Sequence, residues 1–437
     1  MAQYRKDTLS FLNQEKTIFE VGLKADQYGA IERNTEFTSK NRAKVSTYET
    51  VFFNTFQYGK ETDVWDESTV NGASAVHNAN TNNIDMAVTN TLGSKIIRQT
   101  KNVMRYIPGR TSMATFAVRL ETPVTGIRRR FGMYEDNNGF FFEDAGVIGA
   151  DGLPEYNVVV RSSATGALLE TRIPRSQWNG DKLNGLGPSG ITADSTKQQI
   201  VNFEYEWYGA GQIMIGFVIN GFNHVIHTFN HANLDTLPWA STPFLPVRME
   251  LENLTGVAGT HYLRQGSNSI ISEGTPDTLG IAESILSPIT GTVMADANAW
   301  YPILSLRLKS TALKGVVLPT SFQVVTEDNT TIFYRVCRNT VIGTGGSTWT
   351  NHPSVDAFTQ YQTYTSPSAI TEANCGISIV SGFVSTGSAA VIDLNADASN
   401  QIGRNSMGAN SDTITILCAS SGTNKEVVAA LTWIEQR

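Results

Sequence analysis

Charge is scarce in this chain. Only 17% of its 437 residues are Asp, Glu, Lys or Arg, against ~25% in an average soluble protein. Gly, Ser, Thr and Asn fill the gap, which disfavours long exposed helices, because their outer faces are dressed with Glu, Lys and Arg. Cysteine is scarcer still: Cys337, Cys375 and Cys418 are the three present. An odd number without short spacing excludes a disulfide framework and a thiolate metal site, and leaves buried thiols that pack as small hydrophobes. No run approaches 18 consecutive apolar residues, so no membrane-spanning helix is expected. The first residues hold no apolar core of a secretory signal, so none is expected there. Positive charge is not in excess either. The net charge of −7 argues against a polyanion-binding surface over the whole molecule, and nucleic acid is not an expected partner.

Apolar residues make up 41% of the chain, enough for real cores, and the length suits two or three domains. Residues 1–105 are polar and rich in Asn and Thr, with short apolar candidates at 17–23, 48–56 and 90–97 and a long polar stretch at 74–85. They read as an extended N-terminal arm or attachment region that finds its burial against a partner or the rest of the chain. Residues 106–265 carry a strong strand signal. Val201, Phe203, Tyr205 and Trp207 alternate with polar residues, the period of a half-buried strand. After Gly209 and Gly211 comes a nearly continuous apolar run at 213–219, then Asn220-Gly221, a hairpin turn whose two positions need positive φ, and a returning strand at 222–229. Asn137-Asn138-Gly139 is a second such turn, ahead of Phe140, Phe141 and Phe142. Further strands fall at 158–161, 168–173 and 247–251. Residues 266–290 read as a linker. Residues 291–437 form a second β region with short strands at 301–308, 315–318, 322–326, 332–336, 377–380, 389–394, 413–419 and 427–433. The expected fold is all-β: an antiparallel β-sandwich, jelly-roll or lectin-like, followed by a second C-terminal β domain.

Candidate chemistry is thin. His224, His227 and His231 lie close in sequence, but strand parity sends His224 and His227 to opposite faces, so hydrogen-bonded histidines are expected rather than a metal site. Glu204 with Glu206 and Glu250 with Glu252 each share a strand face ~6–7 Å apart, a separation glycosidases use. Alternation offers the plainer account, a solvated face, and the Glu-x-Asp-x-x-Glu pattern of one sandwich glycosidase family is absent. No Gly-x-Ser-x-Gly elbow or phosphate-binding loop occurs; Gly343-Thr-Gly345-Gly346 is an isolated glycine turn. No catalytic residue, cofactor or metal ligand is expected, and the protein is read as a non-enzyme. One local exception to the charge pattern stands out. Lys95, Arg98, Lys101, Arg105, Arg110, Arg119, Arg128, Arg129 and Arg130 form a basic band with Glu121 as its one acid. It suits contact with an acidic neighbouring subunit, internal ion pairs in a solvated loop, or DNA or an anionic glycan. Trp178, Trp207, Tyr208 and Trp239 keep open a sugar-binding reading, in which flat rings stack on pyranose faces, beside ordinary core packing.

The run Arg172-Ile-Pro174-Arg-Ser-Gln177-Trp178-Asn179-Gly-Asp181-Lys182-Leu183-Asn-Gly185-Leu-Gly187-Pro188-Ser189-Gly190 resembles a module in virion structural proteins of tailed phages, cyanophages among them. Trp207-Tyr208-Gly209-Ala-Gly211, His231-Ala232-Asn233, Leu245-Pro246-Val247-Arg248 and the closing Leu431-Thr-Trp433-Ile-Glu435 are similar to the same proteins, so the resemblance covers residues 100–437. It implies a place in the particle rather than a reaction: capsid decoration, neck, baseplate or fibre anchoring, in a homo-oligomer such as a trimer, in contact with other virion proteins after synthesis in the host cytoplasm. A host-surface glycan is the alternative ligand, with a glycan-cleaving enzyme as a more distant reading. Trp178, with Arg128, Arg129 and Arg130 of the basic band, are the interface candidates, since large aromatics and arginines dominate interface energetics.

Overall fold

The computed structural model describes residues 47–274, 279–326, 329–343, 348–385, 388–394 and 398–436. The protein is all-β, built as two antiparallel sandwiches in tandem. The first uses β1 (Tyr48–Asn54), β2 (Trp65–Val70), β3 (Ser74–Asn78), β4 (Asn83–Val88), β5 (Ser94–Thr100), β6 (Ser112–Arg119), β7 (Ile127–Tyr134), β8 (Gly139–Asp144), β9 (Asn157–Ser162), β10 (Leu169–Pro174), β11 (Gln199–Tyr205), β12 (Ile213–Ile219), β13 (Phe222–Phe229), β14 (Val247–Asn253) and β15 (His261–Glu273). One sheet runs β13-β12-β11-β6-β15-β4-β3, with β1 also on β15; the other runs β10-β9-β8-β7-β14-β5-β2.

Inward residues of both sheets alternate with outward ones and meet in an aromatic core. Phe131 stacks on Phe142 at 5.3 Å between ring centroids and meets Phe116 at 5.7 Å. Phe203 meets Phe116 and Phe140 at 5.5 Å each. The Asn220-Gly221 turn has φ of 55° and 83°, the positive pair that a two-residue hairpin requires.

The second sandwich uses β16 (Ile281–Leu286), β17 (Thr292–Met294), β18 (Tyr301–Leu308), β19 (Val316–Val325), β20 (Ile332–Arg338), β21 (Thr350–Asn351), β22 (Thr359–Thr363), β23 (Ile377–Val384), β24 (Ala389–Asp393), the short pair β25 (Arg404–Asn405) and β26 (Asn410–Ser411), β27 (Thr413–Ser420) and β28 (Lys425–Gln436). Its sheets run β16-β28-β19-β24, with β17 on β28, and β21-β22-β18-β27-β20-β23. Trp433, Leu431, Phe322, Val336 and Ile416 form a core separate from the first. The two expected segments at 315–318 and 322–326 are one strand, β19, whose register slips between Pro319 and Ser321. A small apolar plug of Val103, Val316 and Leu318 against Phe244 joins the sandwiches. Polar ties flank it, from Arg404 N–H to the Lys101 carbonyl at 3.0 Å and from Gln401 Nε2 to the Val103 carbonyl at 3.1 Å.

Two expected boundaries move. The arm expected over 1–105 is, from Tyr48 to Thr100, five strands of the first sandwich; residues 1–46, with the candidate at 17–23, lie outside the described residues. The polar stretch at 74–85 is the β3–β4 hairpin, whose Asn and Asp side chains bond one another, as in Asn78 Nδ2 to Asp85 Oδ2 at 3.3 Å. The linker expected at 266–290 begins inside β15, which pairs with β6 on one side and with β4 and β1 on the other. Asn268 is buried there and donates to Asn54 Oδ1 at 3.1 Å. Polar composition was misleading in both places, because cross-strand partners satisfy these side chains.

Phe131→Ala should therefore cost about 3–5 kcal/mol, read as a lower urea midpoint. Phe53→Ala, at a ring 69% exposed, should stay within about 0.5 kcal/mol of the parent.

Candidate functional site

Alternation along β7, β8 and β14 turns one set of side chains into the core and the other onto the outward face of the second sheet. Pairing register places Glu143, Arg130 and Glu250 side by side on neighbouring strands, with Phe141, Gly132 and Arg248 in the next row. Arg128 and Glu252 face each other one row the other way. The result is a lattice of alternating sign. Arg130 Nε donates to Glu143 Oε2 at 2.6 Å, Arg172 Nε to Glu143 Oε1 at 2.9 Å and Arg248 Nη2 to Glu250 Oε2 at 3.1 Å. Lys95 Nζ lies 3.2 Å from Glu250 Oε1, and Arg128 pairs with Glu252. Beneath them Tyr134 and Phe141 pack ring to ring at 4.5 Å. The guanidinium groups of Arg130 and Arg161 cover Phe141, and that of Arg248 covers Tyr134. Gly132 makes this approach possible: a Cβ there would sit 2.7 Å from Cα of Phe141.

Burial alone would raise the Glu250 carboxyl. Arg248, Lys95, Arg130 and Arg128 outweigh it and hold the group down at about 2. Glu143, raised by burial, is brought below the usual carboxylate range by Arg172 and Arg130. Both are thus anions at neutral pH, each clamped by cations, and neither is poised as a proton donor. General acid catalysis needs a carboxyl held up, not down. Glu204 and Glu206, expected on a solvated face, are buried instead, and Glu206 Oε1 accepts from Thr111 Oγ1 at 2.8 Å. Among the described residues no group of three His, Cys, Asp or Glu could hold a metal ion.

The basic band is absorbed within the chain, on strands more than on a loop. Arg129 pairs with Asp144 at 2.7 Å, Arg98 donates to Gln265 at 2.5 Å, Arg119 bonds Glu121, and Arg105 and Arg110 approach Glu49. Arg129 and Arg130 are buried, so they are not available to an outside partner as expected; Arg128 is three-quarters buried beside Glu252. The signal for this was present in the matched spacings Arg128-x-Arg130 and Glu250-x-Glu252. Glu143 and Arg172 carried no such mark, because only the strand order makes them neighbours.

Trp178 is also internal, 4% exposed. After β10 the chain makes one 3-10 turn, Arg175–Gln177. The indole then enters the core beside Phe142 and donates through Nε1 to the Ile173 carbonyl at 3.2 Å. The segment that follows lies along β13. Gly180 and Asp181 donate their N–H groups to the carbonyls of Ile226 and Val225 at 2.9 Å each, and Asn179 exchanges two bonds with Thr228. Asp181 accepts from the N–H of Leu183 at 2.9 Å and of Ser189 at 2.8 Å. A Cβ on Gly187 would fall 2.1 Å from Asp181 Oδ1. Since β10 edges one sheet and β13 the other, this run closes one side of the sandwich.

The histidines serve the same closure. A register shift in β12–β13 sets His227 opposite Ile215 and His224 opposite Phe217, which cancels the expected parity difference. His227 Nδ1 accepts from the Asn179 N–H at 3.3 Å, and burial lowers its pKa to about 4. Trp239 is buried as well, Trp207 half-buried, and Tyr208 exposed.

The fold defines the class: an all-β protein of antiparallel β-sandwiches. No protein-family model matches the chain, and no curated protein matches it. Similar solved structures include a legume lectin-like domain from Entamoeba histolytica, at 12% identity and TM-score 0.30 over 49% of this chain and 92% of that one. A family 16 endo-glucanase from Bacteroides ovatus gives 13% identity and TM-score 0.33 over 50% and 99%. The carbohydrate recognition domain of Emp47p gives 9% and 0.32 over 53% and 100%. These likenesses concern the fold alone.

Two outcomes follow. Asp181→Ala should cost about 1–3 kcal/mol by stranding the buried N–H of Leu183 and the part-buried N–H of Ser189, and should expose the 175–190 segment to limited proteolysis at 25 °C. Stability should also fall with acid in two steps. The His227 pKa is lowered on folding, so its contribution is lost as pH drops from 6.5 towards about 4. The Glu250 carboxylate is likewise depressed, so its contribution, at most about 3 kcal/mol, is present above 4.5 and lost as pH falls towards about 2. Urea melts across pH should show the upper step vanish in His227→Gln and the lower step, to which Glu143 also contributes, shrink in Glu250→Gln, which should itself lose about 3–5 kcal/mol at neutral pH.

Proposed function

We propose that this chain is a structural component of a tailed-phage virion that works through contacts between subunits and catalyses no reaction. One observation carries the reading: the residues on which the resemblance to virion proteins rests are spent on fastening the sandwich. Trp178 fills the core, Asn179 and Gly180 bind β13, and Asp181 gathers the N–H groups of Leu183 and Ser189. A run that resembles one in particle proteins and is used as a clasp supports an architectural role, because a virion subunit must hold its shape under load.

Apolar groups left outside support the contacts. Phe333 and Phe383 are direct cross-strand partners on β20 and β23, and they are 42% and 68% exposed. In the sheet order β23 is an edge strand. Its outer backbone groups pair with another extended strand, and a second copy of the chain offers the same edge. The carboxylates support the absence of turnover, since Glu143 and Glu250 are clamped as anions.

Imaging of the intact particle should place density for both sandwiches at a repeated position, and the purified chain should have the mass of an oligomer that Phe383→Lys dissociates. A monomer at micromolar concentration, or reducing-sugar release above background that Glu250→Gln abolishes, would overturn the reading.

A further inference from the structure

The turn between β7 and β8 carries a side-chain amide that is held at both ends. Asn138 is wholly buried. Its Oδ1 accepts from the backbone N–H of Ser241 at 2.9 Å and of Ser163 at 3.3 Å, and from Ser241 Oγ at 3.1 Å. Backbone N–H groups only donate, so these contacts fix which side-chain atom is the oxygen. The amide nitrogen points the other way and donates to Ser163 Oγ at 3.2 Å and to Glu135 Oε1 at 3.3 Å. The same carboxylate oxygen accepts from Lys314 Nζ at 2.5 Å. Lys314 belongs to the other sandwich, on the connection between β18 and β19. One carboxylate thus touches an amine from one sandwich and a buried amide of the other.

These are the parts of an amide exchange. N–H groups aimed at a carbonyl oxygen polarise the carbonyl and stabilise the oxyanion that develops there. A carboxylate set between nucleophile and leaving group takes a proton from one and delivers it to the other. A lysine amine is a nucleophile once it has shed its proton, and its flexible stem lets it move. The Lys314 side chain is 35% exposed, and with Glu135 it borders a cavity of about 570 Å³ between the sandwiches. That space lets the amine leave Oε1 and close on Asn138 Cγ, the approach that attack requires.

We infer that Lys314 and Asn138 are the partners of an intramolecular isopeptide bond that locks the two sandwiches together, with Glu135 as its catalytic proton carrier. Glu135 takes a proton from the Lys314 ammonium, and Nζ attacks Asn138 Cγ. The tetrahedral oxyanion sits against the N–H groups of Ser163 and Ser241. The Cγ–Nδ2 bond then breaks as Glu135 passes its proton to the departing nitrogen. Nζ loses a second proton, which leaves with the ammonia as ammonium. A lysine ammonium and a primary amide become a secondary amide and ammonium, with no change of oxidation state. The bond adds a covalent tie beside the small apolar plug of Val103, Val316 and Leu318. The inference does not rest on the virion reading, because the bond forms within one chain.

The test incubates the full purified chain at pH 8 and 37 °C and follows its intact mass, then its tryptic peptides. The chain should become lighter by one ammonia. Digestion should release a branched peptide joining residues 131–161 to 310–335, since trypsin does not cut after an acylated lysine. A succinimide at Asn138-Gly139 loses the same ammonia, but it leaves Lys314 free and yields no branched peptide. Lys314→Arg should keep the melting temperature to within a few degrees and form no link. Glu135→Gln should slow the linking at least ~100-fold. An intact mass that stays at the sequence value would overturn the assignment. So would ammonia loss without the branched peptide, ammonia loss of equal extent in Lys314→Arg, or linking that Glu135→Gln leaves unchanged.

Discussion

Buried charge must be paired, and this requirement organises the first sandwich. Glu143 and Glu250 lie almost wholly out of water on the outward face of one sheet. An unpaired carboxylate there would cost several kcal/mol. Arg130 stands between them, and Arg172, Arg248 and Lys95 complete the set. These ions come from β5, β7, β8, β10 and β14, and the Arg172–Glu143, Arg130–Glu250 and Lys95–Glu250 pairs tie together strands that are not consecutive in sequence. A slip of one residue in any of these registers would send an anion to face an anion or into the aromatic core. The lattice therefore specifies strand register as much as it contributes stability.

The same lattice decides what the face can do. A carboxyl near 2 accepts hydrogen bonds and balances cations, but it gives up no proton at neutral pH. Tyr134 and Phe141, which could have offered stacking surfaces, lie beneath guanidinium groups instead. The ring of Tyr208, by contrast, lies exposed at the ends of the strands, on the 207–211 turn. The clasp at 178–190 and this turn share an anchor in β13 and the residues that follow it. Closing the sandwich and fixing this turn are thus parts of one construction.

Much of the fold was legible from residue order. The run at 213–219, the Asn220-Gly221 turn and the return at 222–229 appear where periodicity and turn chemistry put them, because each is a local property of a few residues. The strand at 301–308 is likewise local. Segments whose polar side chains are satisfied by distant partners were misread. Gly266 to Ser269 look like a linker until β6 and β1 are set beside them, and Ser74 to Asp85 look like part of an extended arm until they fold as a hairpin. Trp178 looked like an interface anchor, because a tryptophan flanked by Gln, Asn and Gly gives no local sign that its ring points inward.

The sequence by itself determined the class: low charge, alternating apolar residues and Asn-Gly turns leave little but antiparallel sheets, since each of these signals acts over two to ten residues. It also determined that basic residues concentrate between 95 and 130. Only the tertiary structure decided what those cations do, because strand order, not spacing along the chain, brings Glu143 and Glu250 to Arg130. The fates of His224 and His227 turned on a single register shift in β13, which no parity rule contains. Burial and partnership are relations between strands, and they come into being only when the sheets close.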